Sequence, residues 1–145
     1  MIRPSLALIV IINTSVRDPD EFFDDEDDLD RVERVLQASE NISDPILLAG
    51  LLMSRLARSQ AFTEGNKRTA LAVAHFVLQA NGYDPEIYIP PDDTRISDYL
   101  LLAARGDNVE QAIIGVMTSN AGVLRAGQET SVPRSQRGFG FGSVI

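Results

Sequence analysis

The chain has 145 residues, 44% of them apolar, which is enough to bury one sizeable core in a single domain. Its 21 acidic and 13 basic side chains leave a net charge of −8, which argues against binding a nucleic-acid phosphate backbone. With no cysteine and one histidine, disulfides, thiolate zinc sites and histidine-rich metal sites are excluded. In chain order, the run Leu6 to Ile12 reads as a first core helix of a cytoplasmic protein. Met1-Ile2-Arg3 before it has a faint look of a signal peptide, but no small-x-small cleavage pattern follows. From Asp18 to Asp30 nine of thirteen residues are acidic, around Phe22 and Phe23, and this reads as a solvated segment or an interaction segment. A helix is expected from Leu29, with Leu29, Val32, Val35 and Leu36 on one face.

Ser43 or Asp44 as cap and Pro45 at the first helical position open the next helix, through Ala57. A helix from Asn66 to about Ala80 follows, apolar around most of its circumference, and Asn81-Gly82 ends it. Asp84-Pro85 and Pro90-Pro91 mark a connection, with a short extended piece expected at Ile87 to Ile89. Ile96, Tyr99, Leu100 and Ala103 form one stripe ended by Gly106, and Asn108 with Gln111 resembles a capping box for a helix through Met117. The expectation is an all-α bundle of five or six helices around a buried central helix at about 66–80. The domain is placed at residues 1–121, and 122–145 reads as a flexible Gly/Ser/Arg tail.

The chemistry concentrates at Gln60 to Arg68. A helix N-terminus carries partial positive charge and unpaired N–H groups, so Lys67 and Arg68 in a first turn are unfavourable by ~0.3–1 kcal/mol each unless an anion sits there. Gly65 permits close backbone approach, Asn66 can cap or hold the loop, and Lys67 and Arg68 bring a point charge and a bidentate fork, all suited to phosphate. Glu64 fits a phosphate site if it faces a divalent cation. The alternative is a plain surface ion pair between Glu64 and Lys67 or Arg68.

The string Gln60-Ala61-Phe62-Thr63-Glu64-Gly65-Asn66-Lys67-Arg68-Thr69-Ala70 resembles the Fic/Doc (Fido) signature, His-x-Phe-x-Asp/Glu-Gly/Ala-Asn-Lys/Gly-Arg. Lys67, and Leu71 where the Fic branch has a second arginine, look like the Doc (death-on-curing) branch of toxin–antitoxin toxins. The resemblance is best over 43–118, loose before it and lost in the tail. It implies ATP with Mg²⁺ as cofactors and transfer of phosphate, or AMP, to a hydroxyl of a protein such as elongation factor Tu. It implies an antitoxin partner as well. Glu64 would hold the metal, Gly65, Asn66, Lys67 and Arg68 the phosphates, and Phe62 would anchor the loop. Gln60 stands where the family has its catalytic histidine, and a carboxamide is no base near neutrality. It reads as an engineered inactive form, as a pseudoenzyme kept for nucleotide or partner binding, or as an enzyme whose transfer leans on positioning and charge. His75 is nine positions beyond Asn66, about 13 Å along the axis, and is expected to be a core histidine.

Overall fold

A computed structural model describes residues 1–17 and 26–131, with 123–131 as helix backbone alone. Phe22, Phe23 and most of the acidic segment, like the tail from 132 on, lie outside the described residues. Among the described residues there are seven helices and no strand, so the fold is all-α. The helices are α1 (Leu6–Val16), α2 (Leu29–Ala38), α3 (Pro45–Ser59), α4 (Asn66–Ala80), α5 (Pro85–Tyr88), α6 (Arg95–Ala104) and α7 (Glu110–Ser131). No described helix is long and apolar enough to cross a membrane.

Local chemistry sets most boundaries. Ser5 caps α1 by accepting from Leu8 N–H at 3.1 Å. Of the two candidate caps for α3, Asp44 does the work, accepting from Ile46 N–H at 2.9 Å with Pro45 in the first turn. Helices α4 and α6 end alike. Gly82 (φ +87°) and Gly106 (φ +101°) turn left-handed, and the N–H groups of Tyr83 and Asp107 return to Leu78 and Leu102 O at 2.9 and 3.2 Å.

Packing divides the burial between two antiparallel neighbours. Helix α4 buries Thr69, Ala70, Val73, Ala74, Val77 and Leu78, mainly against α3. Leu71, Ala72, His75 and Phe76 are only half-buried, so α4 has a groove-lining face that its apolar sequence conceals. Helix α3 is more completely enclosed, touching α2, α4, α6 and α7. Where α3 meets α7, a Cβ on Gly50 would lie 2.7 Å from Ile114 Cγ1, so only glycine permits the approach.

Three expectations need correcting. Ile87 to Ile89 is not extended: Asp84 accepts from Glu86 N–H at 3.0 Å, Pro85 fits the first turn, and Ile89 N–H closes it on Pro85 O at 2.8 Å. The cap outweighs the β-branched residues, and Tyr88 is buried edge-on to Tyr83. Leu29 is exposed, because it sits at the first turn of α2 before that helix reaches the core; Val32 carries the burial. Helix α7 does not stop at Met117 but continues through Ser131. Its start follows the expected cap in part, with Asn108 Oδ1 accepting from Glu110 N–H at 3.2 Å.

Candidate functional site

The α3–α4 connection, residues 60–65, is where the sequence chemistry converges. Gln60 caps α3 in the left-handed conformation (φ 50°, ψ 39°), the only non-glycine residue at positive φ among those described. A residue of this kind is held there by its surroundings, since left-handed backbone costs ~1–2 kcal/mol outside glycine. Its carboxamide donates to Ala57 O at 3.0 Å and accepts from Asn66 Nδ2 at 3.4 Å. Gly65, at φ +79°, then sets the entry to α4.

Asn66 closes the loop with both amide atoms. Oδ1 accepts from Phe62 N–H at 3.0 Å and Nδ2 donates to Phe62 O at 2.7 Å. Phe62 itself is buried in the main core and anchors the loop from inside. No side chain among the described residues caps α4, and the amides of its first turn have no partner within the helix. A hollow of about 290 Å³ opens here, lined by Gln60, Thr63, Glu64, Gly65, Asn66, Lys67 and Arg68. Every candidate site residue of the Gln60–Arg68 stretch except the inward Phe62 meets in it.

Glu64 and Arg68 are joined by an ion pair one helical turn apart, the arrangement that the plain surface reading of this turn expects. Arg68 remains largely exposed and Glu64 is largely covered. Lys67 is exposed on the rim. Lys67 and Arg68 also border a second hollow of about 270 Å³, walled by Leu71, Ser97, Leu100 and Leu101.

The structure adds a support layer that the sequence did not reveal. Asn13 of α1, almost fully buried, donates to Glu64 O at 2.9 Å and to the buried Thr69 hydroxyl at 3.0 Å. Asp27 accepts from Thr63 N–H at 2.9 Å and pairs with Arg17 at 3.0 Å. Asp28 N–H donates to Ala61 O at 2.6 Å, and Arg31 to Ser59 O at 3.0 Å. Burial alone would raise the Asp27 carboxyl, but the Thr63 amide and the Arg17 guanidinium outweigh it and hold the group below the usual aspartate value. The available signal was slight: a polar Asn13 within an apolar helix, one turn before Arg17.

His75 is not a core histidine. It is half-buried and lines two hollows along α4, one with Leu8, Ile12, Val16 and Phe76, the other with Glu86, Pro90, Pro91 and Ile96. Burial lowers its pKa below 6.5, opposed by the Glu86 charge. It does not line the hollow of Gln60 to Arg68.

What these elements define is an all-α scaffold that presents a strained, clamped turn and an uncapped, cationic helix start to one polar hollow. The Fic/DOC family model matches residues 11–78, from within α1 to the last turn of α4, and this supports membership of the Fido family. The match takes in Asn13 of α1 and, between α1 and α2, Arg17 and Asp27, the residues that hold the turn. No curated protein and no solved structure matches the chain.

Proposed function

We propose that the protein is a Doc-like member of the family, a nucleotide-binding transferase scaffold in which Gln60 removes the general base. The observation that carries this reading is the hollow at the start of α4. It gathers free helix amides, Lys67 and Arg68 around a glycine turn that leaves room for an anion. Phosphates of ATP would lie on this turn, with the purine and ribose extending into the more apolar hollow beside Leu71 and Leu100.

Mg²⁺ carried in by a nucleotide needs only one or two protein carboxylates, and Glu64 supplies one. The described residues hold no group of three or more metal ligands, so a metal bound by protein alone is not part of this reading. The metal, when bound, would neutralise charge on the transferred phosphoryl group. Arg68 would exchange Glu64 for a phosphate oxygen, one anion for another in a charge-assisted bond. Asn66 keeps the turn closed through Phe62, and Lys67 places a second positive charge at the rim.

A protein hydroxyl, on a factor such as elongation factor Tu, would accept the phosphoryl or AMP group, and an antitoxin would shield the site between encounters. Gln60 cannot take the hydroxyl proton, so transfer by this chain should fall ~10²–10⁴-fold below that of a histidine form. Histidine also tolerates left-handed backbone better than most residues, so Gln60→His should leave the turn in place.

The test incubates the native chain and Gln60→His with Mg²⁺ and ATP labelled at the α or γ phosphate, in cell lysate containing elongation factor Tu. Label transferred by the histidine form alone supports the reading, and the labelled position names the reaction. A second reading, a non-catalytic binding scaffold, is favoured by the engagement of the Gln60 carboxamide on Ala57 O. It is the outcome if neither form transfers label while ATP protects the 60–68 turn from proteolysis. No protection at millimolar ATP refutes both.

A further inference from the structure

Four arginines converge near the C-terminus of α3. Arg31 and Arg34 of α2 and Arg55 and Arg58 of α3 line one hollow of about 350 Å³, completed by Val35, Ala38 and Ser59. Thus four of the 13 basic side chains meet at one place on a chain of net charge −8. None of these residues lines the hollow at the start of α4.

Part of the convergence is structural. Arg31 donates to Ser59 O, Arg55 to Ala38 O at 3.3 Å and Arg58 to Gly106 O at 2.9 Å. Each guanidinium therefore covers a carbonyl at or just past a helix C-terminus, where cations are favoured. Two of the charges are balanced, Arg31 by Asp28 at 3.1 Å and Arg55 by Glu110 at 2.7 Å. Arg58 meets a neutral carbonyl, and Arg34 has no hydrogen-bond or ion-pair partner among the described residues. A guanidinium carries five N–H donors, and most of those on Arg34 and Arg58 remain unused among the described residues.

We propose that this hollow docks an acidic peptide segment of a partner protein. Its carboxylates pair with Arg34 and Arg58, and an apolar side chain lies against Val35 and Ala38. Charge complementarity selects this occupant. The local field is positive, yet a long polyphosphate would also have to cross the acidic remainder of the surface, which repels it. A short peptide meets only the arginines, and the apolar wall rewards a side chain that a nucleic-acid backbone lacks.

The experiment measures fluorescence anisotropy of a labelled peptide of aspartates and glutamates flanking two phenylalanines, titrated with the full chain. Binding should weaken as salt is raised. It should fall roughly tenfold in Arg34→Gln and about a hundredfold in Arg34→Gln/Arg58→Gln, as charged hydrogen bonds are lost. Should the double variant unfold, Arg34→Gln alone decides, because Arg34 ties down nothing among the described residues. Unchanged affinity in Arg34→Gln overturns the proposal. So does equal binding of an oligothymidylate of the same charge. Self-association of the unlabelled chain that vanishes in Arg34→Gln would also overturn it, by making a second copy the occupant.

Discussion

Asn66→Ala tests the clamp that gives the candidate site its shape. The side chain makes two bonds to the backbone of one residue, accepting from Phe62 N–H at 3.0 Å and donating to Phe62 O at 2.7 Å. At a net ~0.5–1.5 kcal/mol each, their loss should cost about 1–3 kcal/mol. For a chain of this size that lowers the thermal midpoint by about 3–10 °C. The turn also opens, so Lys67 and Arg68 lose their fixed relation to the helix amides and ATP protection of the turn should weaken more than stability does. Asn66→Asp separates the two bonds. It keeps the acceptor for Phe62 N–H, loses the donor to Phe62 O and puts a negative charge in the hollow, partly offset by the helix dipole. Its midpoint should lie between native and Asn66→Ala, while its ATP binding should be the weakest of the three. Circular-dichroism melts and limited proteolysis with and without Mg²⁺–ATP read both effects. An Asn66→Ala midpoint within about 1 °C of native would show that the clamp contributes nothing and that Phe62 burial alone holds the turn.

Gly65→Ala should cost about 1–2 kcal/mol in a urea titration. Its Cβ finds only ordinary contacts with Asn13 and Arg17, so the loss comes from the positive φ. Gly50→Ala should cost ~1–3 kcal/mol by driving a methyl into Ile114, and adding Ile114→Ala should restore part of the thermal midpoint. Asp27 is held below its ordinary value of 3.8, so between the two values the unfolded state binds more protons than the folded one. Its stabilisation is therefore full above about 3.8 and fades as pH falls through the lower, folded value. Acid unfolding of Asp27→Asn should show a shallower pH dependence in that window.

The sequence made the helices legible wherever a local device decides them. Asp44-Pro45, Asn81-Gly82 and Gly106 each act within one turn of the chain, and the structure uses each as its residue type suggests. The 85–88 turn shows the limit of reading by propensity, since an aspartate cap followed by proline decides the backbone before the isoleucines do. Relative burial was less legible. An apolar circumference on α4 suggested one enclosed helix, but packing geometry gave the fuller enclosure to α3 and left Leu71 and His75 on a groove. Periodicity records which faces are apolar, not which neighbour arrives to cover them.

The site divides along the same line. Gln60 to Arg68 are contiguous, so their meeting in one hollow follows from a short turn. The residues that hold the turn are remote in sequence: Asn13 is 51 positions from Glu64, and Asp27 is 36 from Thr63. This separation bears on Gln60. The left-handed backbone there belongs to a turn fixed from four directions, by Asn13, Asp27, Asp28 and Asn66, to which the Gln60 carboxamide adds its own bonds to Ala57 O and Asn66. A change of that side chain can remove a base without disturbing the cationic turn, because the turn is supported elsewhere. On the proposed function, anion binding and proton transfer are therefore separable in this fold. A chain that has lost the second can keep the first, and Gln60→His should restore transfer without changing the affinity for nucleotide.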